Sequence, residues 1–463
     1  MSDRTAFTVS AGPARPRPAE LAARIDAPMR RVLMVSPHFP PDTSAASHRV
    51  RLLAPHLPAF GWEPTVVAVD PRDCETRLDP DLAALVPATL RVVRARAWSA
   101  RITRRFGVGD LGLRAFAGLR RTCLALLERE RFDALYITIY PSYPALLGPV
   151  AKRRFGVSFV LDYQDPWVGA WGRIVGAGPG GRPDWKSRLS RLVATRLEPR
   201  AVRAADAITA VSRRTWEDVD RRHPELASTP RLTLPIGGEP RDFDGADGRR
   251  APFSPDDGNV HVCHVGTLLP LGLETLGALL AAVRRLRERR PDLYARLRLH
   301  FFGTSNQTTA GALPRALGAA AELGVLDRVE EIAPRLDYLD ALAVLRRASA
   351  NLLMGSSEPH YTASRIYPAL WSGRPLLALY HEASSSAEIL RRAGVPPRVR
   401  LVTYGDRERA ASRIDAIAAE LIALVEEPVA DSAAFDAQVL GECSARALAG
   451  RLGALFDQVC RRP

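Results

Sequence analysis

Cysteine is scarce and scattered. Cys74, Cys123, Cys263, Cys443 and Cys460 are the five in 463 residues, with no paired spacing among them. Their arrangement argues against a disulfide framework and a zinc site, and it fits a reducing cytosol. Long apolar runs are missing as well, since nothing approaches the roughly 18 residues of a membrane span. The first thirty residues lack the apolar segment of a secretory signal and are rich in Pro, Ala and Arg, so residues 1–30 are expected to form a disordered leader. Aromatics make up only 7% and no RNP-type motif, zinc-finger spacing or basic tail is present, so the formal charge of +14 does not point to nucleic acid. Most arginines instead sit among acids on helical faces, as in "AAVRRLRERRPDLYARLRLH". One stretch, Trp98 to Leu127, mixes basic residues with Trp98, Phe106 and Phe116; it reads either as a packed amphipathic helix or as a face for anionic lipid.

What the chain does have is alternation. "RVLMVSP", "PTVVAVD", "LRVVRA", "FDALYITI", "VSFVLDY" and "DAITAVS" read as buried parallel strands, with helical patterns between them. The series breaks at the Gly/Pro/Asp-rich residues 241–259 and restarts with "VHVCHVGTL", "LRLHFFGTS", "VEEIAPR", "ANLLMG", "LLALY" and "RVRLVTYG". The expected fold is α/β, with two Rossmann-like domains facing across a cleft: residues 31–240, a linker over 241–259, residues 260–435, and a C-terminal helix in 436–463 that could pack back across the cleft. Ligands of such sheets gather at the carboxyl ends of the strands.

Within the second domain, "TASRIYPALWSGRPLLAL" predicts a short helix starting near Ser364 or Arg365, with Thr362 or Ser364 as N-cap. Pro368 falls in its first turn, and Gly373 and Pro375 end it ahead of a strand. Such a helix start, with Arg365 beside it, can seat a phosphate or can simply be capped. "GAGPGG" at 176–181 matches GxGxxG but contains a proline and opens no helix, so it reads as a loop. Asp79-Pro80-Asp81 is assigned no metal.

Taken in order, these stretches resemble the GT-B fold glycosyltransferases, within them the retaining family 4 type, over nearly the whole chain after the leader. The resemblance implies transfer of a sugar from a nucleotide diphosphate donor to an acceptor hydroxyl, with retention. The acceptor would be a glycan, a lipid-linked sugar or a small molecule. No metal or other cofactor is implied; the location would be cytoplasmic, with an anionic membrane surface at its inner face as a further partner. The alternative is a catalytically silent GT-B protein that binds a glycan, a nucleotide or a partner enzyme.

Carried over residue by residue, the loop from Pro37 to Arg49 looks like the acceptor-side loop, where "DTSAAS" replaces the family's glycines and His38, Ser47 and His48 offer polar contacts. His48 and Asp165 are the catalytic candidates. Asp165 and Trp167 of "DYQDPW" match an Asp-Pro-Trp at a strand end, where the acid would accept from an acceptor hydroxyl and the indole stack on a sugar, unless Asp165 only caps its turn. Gly266 and Thr267 match the backbone that approaches the donor diphosphate, Arg335 the segment that meets the base, and Ser364 and Arg365 the diphosphate seat. The sequence departs from the family at Pro368 and His360, where acids are usual.

Overall fold

The computed structural model describes residues 28–168, 185–305, 314–357, 363–427 and 434–460. Thr362, Glu358, His360 and the "GAGPGG" segment lie outside them.

Two wholly parallel sheets carry the chain. The first is built from β1 (Arg30–Val35), β2 (Trp62–Val69), β3 (Arg91–Ala95), β4 (Ala134–Ile139), β5 (Ser158–Tyr163), β6 (Ala207–Ala210) and β7 (Arg231–Thr233). Its spatial order is β3-β2-β1-β4-β5-β6-β7. The second comprises β8 (Val260–Val265), β9 (Leu297–Phe302), β10 (Val329–Ile332), β11 (Ala350–Met354), β12 (Leu376–His381) and β13 (Val399–Tyr404), ordered β10-β9-β8-β11-β12-β13. In both, the strand order reverses beside the first strand, between β1 and β4 and between β8 and β11, which opens a crevice at the carboxyl ends. Helices cover both faces of each sheet, so the central strands are buried along their length, as in β4 and β11.

Local departures from the sequence pattern have local causes. The segment "SHRVRLLAPHLPAFG" is helical only over Ser47–Leu53 and tightens to a 3₁₀ turn over Ala54–Phe60, where Pro55 and Pro58 remove donors; Gly61 closes it at φ +81°. β7 has no strong pattern because its three residues are half-buried. The Gly/Pro/Asp-rich segment begins as a 3₁₀ helix, Pro240–Ala246, whose Phe243 and Ala246 pack with Leu339 and Leu342 of the helix Tyr338–Arg347. The short helix after Arg365 runs Ile366–Trp371, with Arg365 as its N-cap and no side-chain cap bond. Pro368 is its third residue, where its missing N–H has no intrahelical partner to lose. The C-terminal helix, Ala445–Cys460, lies on the first sheet, with Leu448, Leu452 and Phe456 in one cluster with Val32, Trp62 and Tyr136. Among the described residues no helix is long and apolar enough to cross a membrane.

A histidine pair anchors the end of the interdomain segment. His261 Nδ1 and His300 Nε2 lie 2.9 Å apart, the Phe253 ring stacks on both, and Asp257 bonds His261 Nε2 at 2.9 Å. Burial, then the neighbouring His261, holds His300 down to about 4. A histidine that stays neutral in the fold but takes a proton near 6.5 when unfolded stabilises fully above that pH. The contribution fades as pH falls from about 6.5 towards 4, by at most about 3 kcal/mol. Thermal melts across that window should show the loss in the wild type and a flatter profile in His300→Phe; parallel profiles would assign the titration elsewhere.

Candidate active site

The donor side forms where β8 ends. Gly266 has φ +128°, a conformation that disfavours any side chain, and a Cβ there would lie 3.2 Å from the Arg365 guanidinium carbon. Arg365 thus reaches back from the short helix over the β8 loop. Its Nη2 donates to the Thr267 carbonyl at 2.9 Å and its Nη1 to His264 Nε2 at 2.7 Å. Thr267, Leu268, Gly272, Gly355, Ser356 and Arg365 line a hollow at this point. Arg315 donates to the Leu268 carbonyl at 2.6 Å and brings a second guanidinium to its rim. Ser364 lies in the turn just ahead of the Arg365 N-cap.

His264, which the sequence shows only as one more strand residue, supports this arrangement. It is fully buried, its Nδ1 faces the Leu352 carbonyl at 3.1 Å, and burial followed by the Arg365 charge holds its pKa down to about 3. The ring is therefore neutral in the neutral pH range; with Nδ1–H donating to Leu352, Nε2, which also lies 3.1 Å from the Gly266 carbonyl, accepts from Arg365.

One donor-side expectation changes. The amide of Gly266 donates to Phe302 at 2.8 Å and that of Leu268 to Thr304 at 3.0 Å, so these N–H groups bind the neighbouring strand end, not an anion. Arg335 donates through Nη1 to the Thr43 carbonyl at 2.7 Å, and its own carbonyl accepts from Arg77 at 3.2 Å. Its side chain ties the second domain to the loop after β1, which leaves the expected main-chain contact to a base untouched.

On the expected acceptor side, at the carboxyl edge of the first sheet, His38 is oriented by a buried acid. Its Nδ1 lies 2.5 Å from Asp42 Oδ2, and Asp42 also accepts from the Ser44 amide at 2.7 Å and the Thr76 hydroxyl at 2.6 Å. Those bonds outweigh burial and lower the Asp42 carboxyl below its ordinary value. The His38 ring stacks at 5.6 Å on Tyr140, a 48%-exposed side chain at the end of β4. Tyr140 has φ +139°, the one non-glycine positive φ among the described residues, at a typical cost of about 1–3 kcal/mol. Burial raises the Tyr140 hydroxyl, and Asp165, Asp110 and Asp42 add to the shift. His38, Tyr140 and the exposed Asp165 therefore share one neighbourhood at the carboxyl edge of the first sheet.

Three acceptor-side expectations are corrected. Ser47 is fully buried in its helix, with no partner for its hydroxyl, and does not face the cleft. Trp167, 4% exposed, packs in the core with Tyr143 against it edge-on, so its ring is not offered to a sugar. His48 packs against Tyr338 with its ring tilted, centroids 4.8 Å apart, and accepts from Arg51 at 3.3 Å; burial beside guanidiniums holds it neutral, within the contact between domains. That contact centres on Arg51, which donates to Asp242 at 2.7 and 3.0 Å, with the Tyr338 hydroxyl 2.8 Å from the same carboxylate. Asp79 caps the helix Pro80–Ala84 and accepts from the Tyr338 amide at 2.9 Å. Among the described residues no cluster of metal-binding side chains is present.

Two doubly wound domains, with arginines at the end of β8 in one and a His–Asp pair at the carboxyl edge of the other, make up a fold of the GT-B type. Residues 44–237 match the family model described as "Glycosyl transferase 4-like domain" and fall within the first domain. No curated protein sequence is similar enough to match. Solved structures give the fold. A glycosyltransferase from Rickettsia africae matches with a TM-score of 0.55 at 11% identity, covering 94% of this chain and 100% of that one. The E. coli trehalose-6-phosphate protein bound with UDP-2-fluoro glucose gives 0.56 at 12%, covering 94% and 99%. Anabaena HepE in complex with UDP gives 0.51 at 14%, covering 94% and 98%.

Proposed function

We propose that the chain transfers a sugar from a nucleoside diphosphate donor to an acceptor hydroxyl, with retention and without a metal. The observation that carries this reading is Arg365, held across Gly266 at the carboxyl end of β8 and lining the hollow there. A guanidinium fixed by a neutral imidazole and a carbonyl meets the charge that develops on the leaving diphosphate at little reorganisation cost. Arg315 adds positive potential at the rim. Across the cleft, the Asp42-oriented His38 and the carboxylate of Asp165 are the groups that would receive and orient the acceptor hydroxyl. Structures of the same fold hold UDP or a UDP-sugar, which makes a uridine nucleotide the first donor to try. The acceptor is a glycan, a lipid-linked sugar or a small molecule, and the enzyme works in the cytoplasm at or near a membrane face.

The helix Ile366–Trp371 has no acid in its first turn, so the ribose is not gripped there by a carboxylate. Weak donor binding is expected. Incubation with UDP-, GDP- and dTDP-sugars, followed by the release of nucleoside diphosphate, should single out one donor and should raise the melting temperature with that nucleotide. A melting shift with no turnover would make the chain a silent nucleotide binder; no shift with any nucleotide would overturn the donor site.

A further inference from the structure

We propose that the turn Trp98–Leu113 is a membrane-docking edge that seats the protein on an anionic bilayer. Four large apolar side chains stand out from it: Trp98 is 66% exposed, Ile102 61%, Phe106 80% and Leu113 39%. Isolated apolar residues on a surface need no explanation, but four on one short turn do.

The turn is built to hold them outward. Trp98 and Arg114 clasp each other, the Trp98 amide donating to the Arg114 carbonyl at 3.1 Å and the buried Arg114 guanidinium to the Trp98 carbonyl at 2.7 Å. Thr103 is buried beneath the turn, Gly107 reverses the chain at φ +77°, and Asp110 caps the helix Leu111–Arg129 through the Leu113 amide at 2.9 Å. The apolar tips therefore project from an ordered base.

Charge selects the occupant. Arg101 and Arg105 are exposed within the turn, and Arg104 is 65% exposed beside Glu75. Seven and eight residues beyond Leu113, on the same face of the helix, Arg120 and Arg121 are exposed too. The nearby acids are committed: Glu75 pairs with Arg104 and Arg114, and Asp110 caps the helix. Apolar and aromatic tips surrounded by arginines suit the headgroup region of a bilayer that carries acidic lipid. The edge also adjoins the acceptor neighbourhood, because Gly112 packs against Pro141, next to Tyr140. On the reading given under Proposed function, the acceptor is then lipid-borne and is delivered at that rim.

Co-sedimentation with vesicles of phosphatidylcholine alone, or mixed with phosphatidylglycerol, tests the proposal without relying on transfer. The wild type should pellet with the mixed vesicles and be released by salt. Phe106→Ser combined with Ile102→Ser should lower partitioning at least about tenfold, and Arg101→Gln or Arg105→Gln about fivefold each. Nucleotide-induced melting shifts should be unchanged in all of them, which separates this proposal from the donor reading. Brominated lipid should quench tryptophan fluorescence in the wild type and far less in Trp98→Phe. The proposal fails if the wild type stays in the supernatant with acidic vesicles, if Phe106→Ser combined with Ile102→Ser binds as well as wild type, or if quenching persists without Trp98. Dissociation of a dimer by that double substitution, with no lipid binding, would assign the face to a second copy of the chain.

Discussion

Arg365→Ala should lower kcat/KM for the nucleotide sugar by about 10²–10³, the range seen when one preorganised charge-stabilising donor is removed from a reaction centre. The reason lies in how completely the side chain is placed. Its guanidinium spans from the Thr267 carbonyl to His264 Nε2 and closes over Gly266. Arg365→Lys keeps the charge but cannot make both bonds in one plane, so it should recover only part of the loss. His264→Ala removes the acceptor that orients Nη1. It should raise the donor KM and lower kcat by about tenfold in all, since it leaves the cation present but loosely aimed. The positioning role has a second signature. Because His264 is held to about 3, the pH profile near neutrality should be the same in His264→Asn, which can still accept from Arg365, as in the wild type. Steady-state kinetics on the donor identified by the nucleotide panel decide this. An active enzyme indifferent to Arg365→Ala would remove the donor assignment.

The central parallel strands are legible because a strand buried on both faces must be apolar throughout, as β4 and β11 are; edge strands such as β3 and β10 carry charged residues and read less cleanly. β7, with three half-buried residues, offers no such run. The turn at Gly266 is legible too, because a strand-end glycine marks a close approach, here that of the Arg365 guanidinium. Direction is what the letters hide. Ser47, His48 and Trp167 are residues that a cleft would use, yet the first is interior, the second packs tilted against Tyr338 and the third is core. Whether a loop side chain turns in or out depends on partners far along the chain, as Arg51 with Asp242 and Tyr338 illustrates. Of the His38–Asp42 pair the sequence shows only a four-residue spacing. That spacing lies in a loop, where no helix fixes the two side chains on one face, and the letters alone do not bring them together.

Arg49→Ala should destabilise the first domain by about 3–5 kcal/mol, the cost of stranding one member of a fully buried ion pair. Both side chains are 0% exposed: Arg49 Nε donates to Asp162 Oδ2 at 3.0 Å, and Asp162 Oδ1 accepts from the Thr209 hydroxyl at 2.6 Å. Arg49 Nη1 also donates to the Pro235 carbonyl at 2.8 Å, so one side chain joins the acceptor-loop helix, strand β5 and the chain leaving β7. Asp162→Asn should cost a comparable amount, because the amide still accepts from Thr209 but leaves the buried Arg49 guanidinium without its counter-charge. Replacing both by apolar residues, as in Arg49→Met with Asp162→Leu, should restore much of the stability, since no buried charge is then left unpaired. Denaturant titration followed by tryptophan fluorescence and circular dichroism measures all three. Because Asp162 lies three residues before Asp165 on the same strand end, the repacked double variant should fold yet transfer sugar more slowly. If it instead matched wild type in both respects, the ion pair would have no part in aiming the acceptor edge.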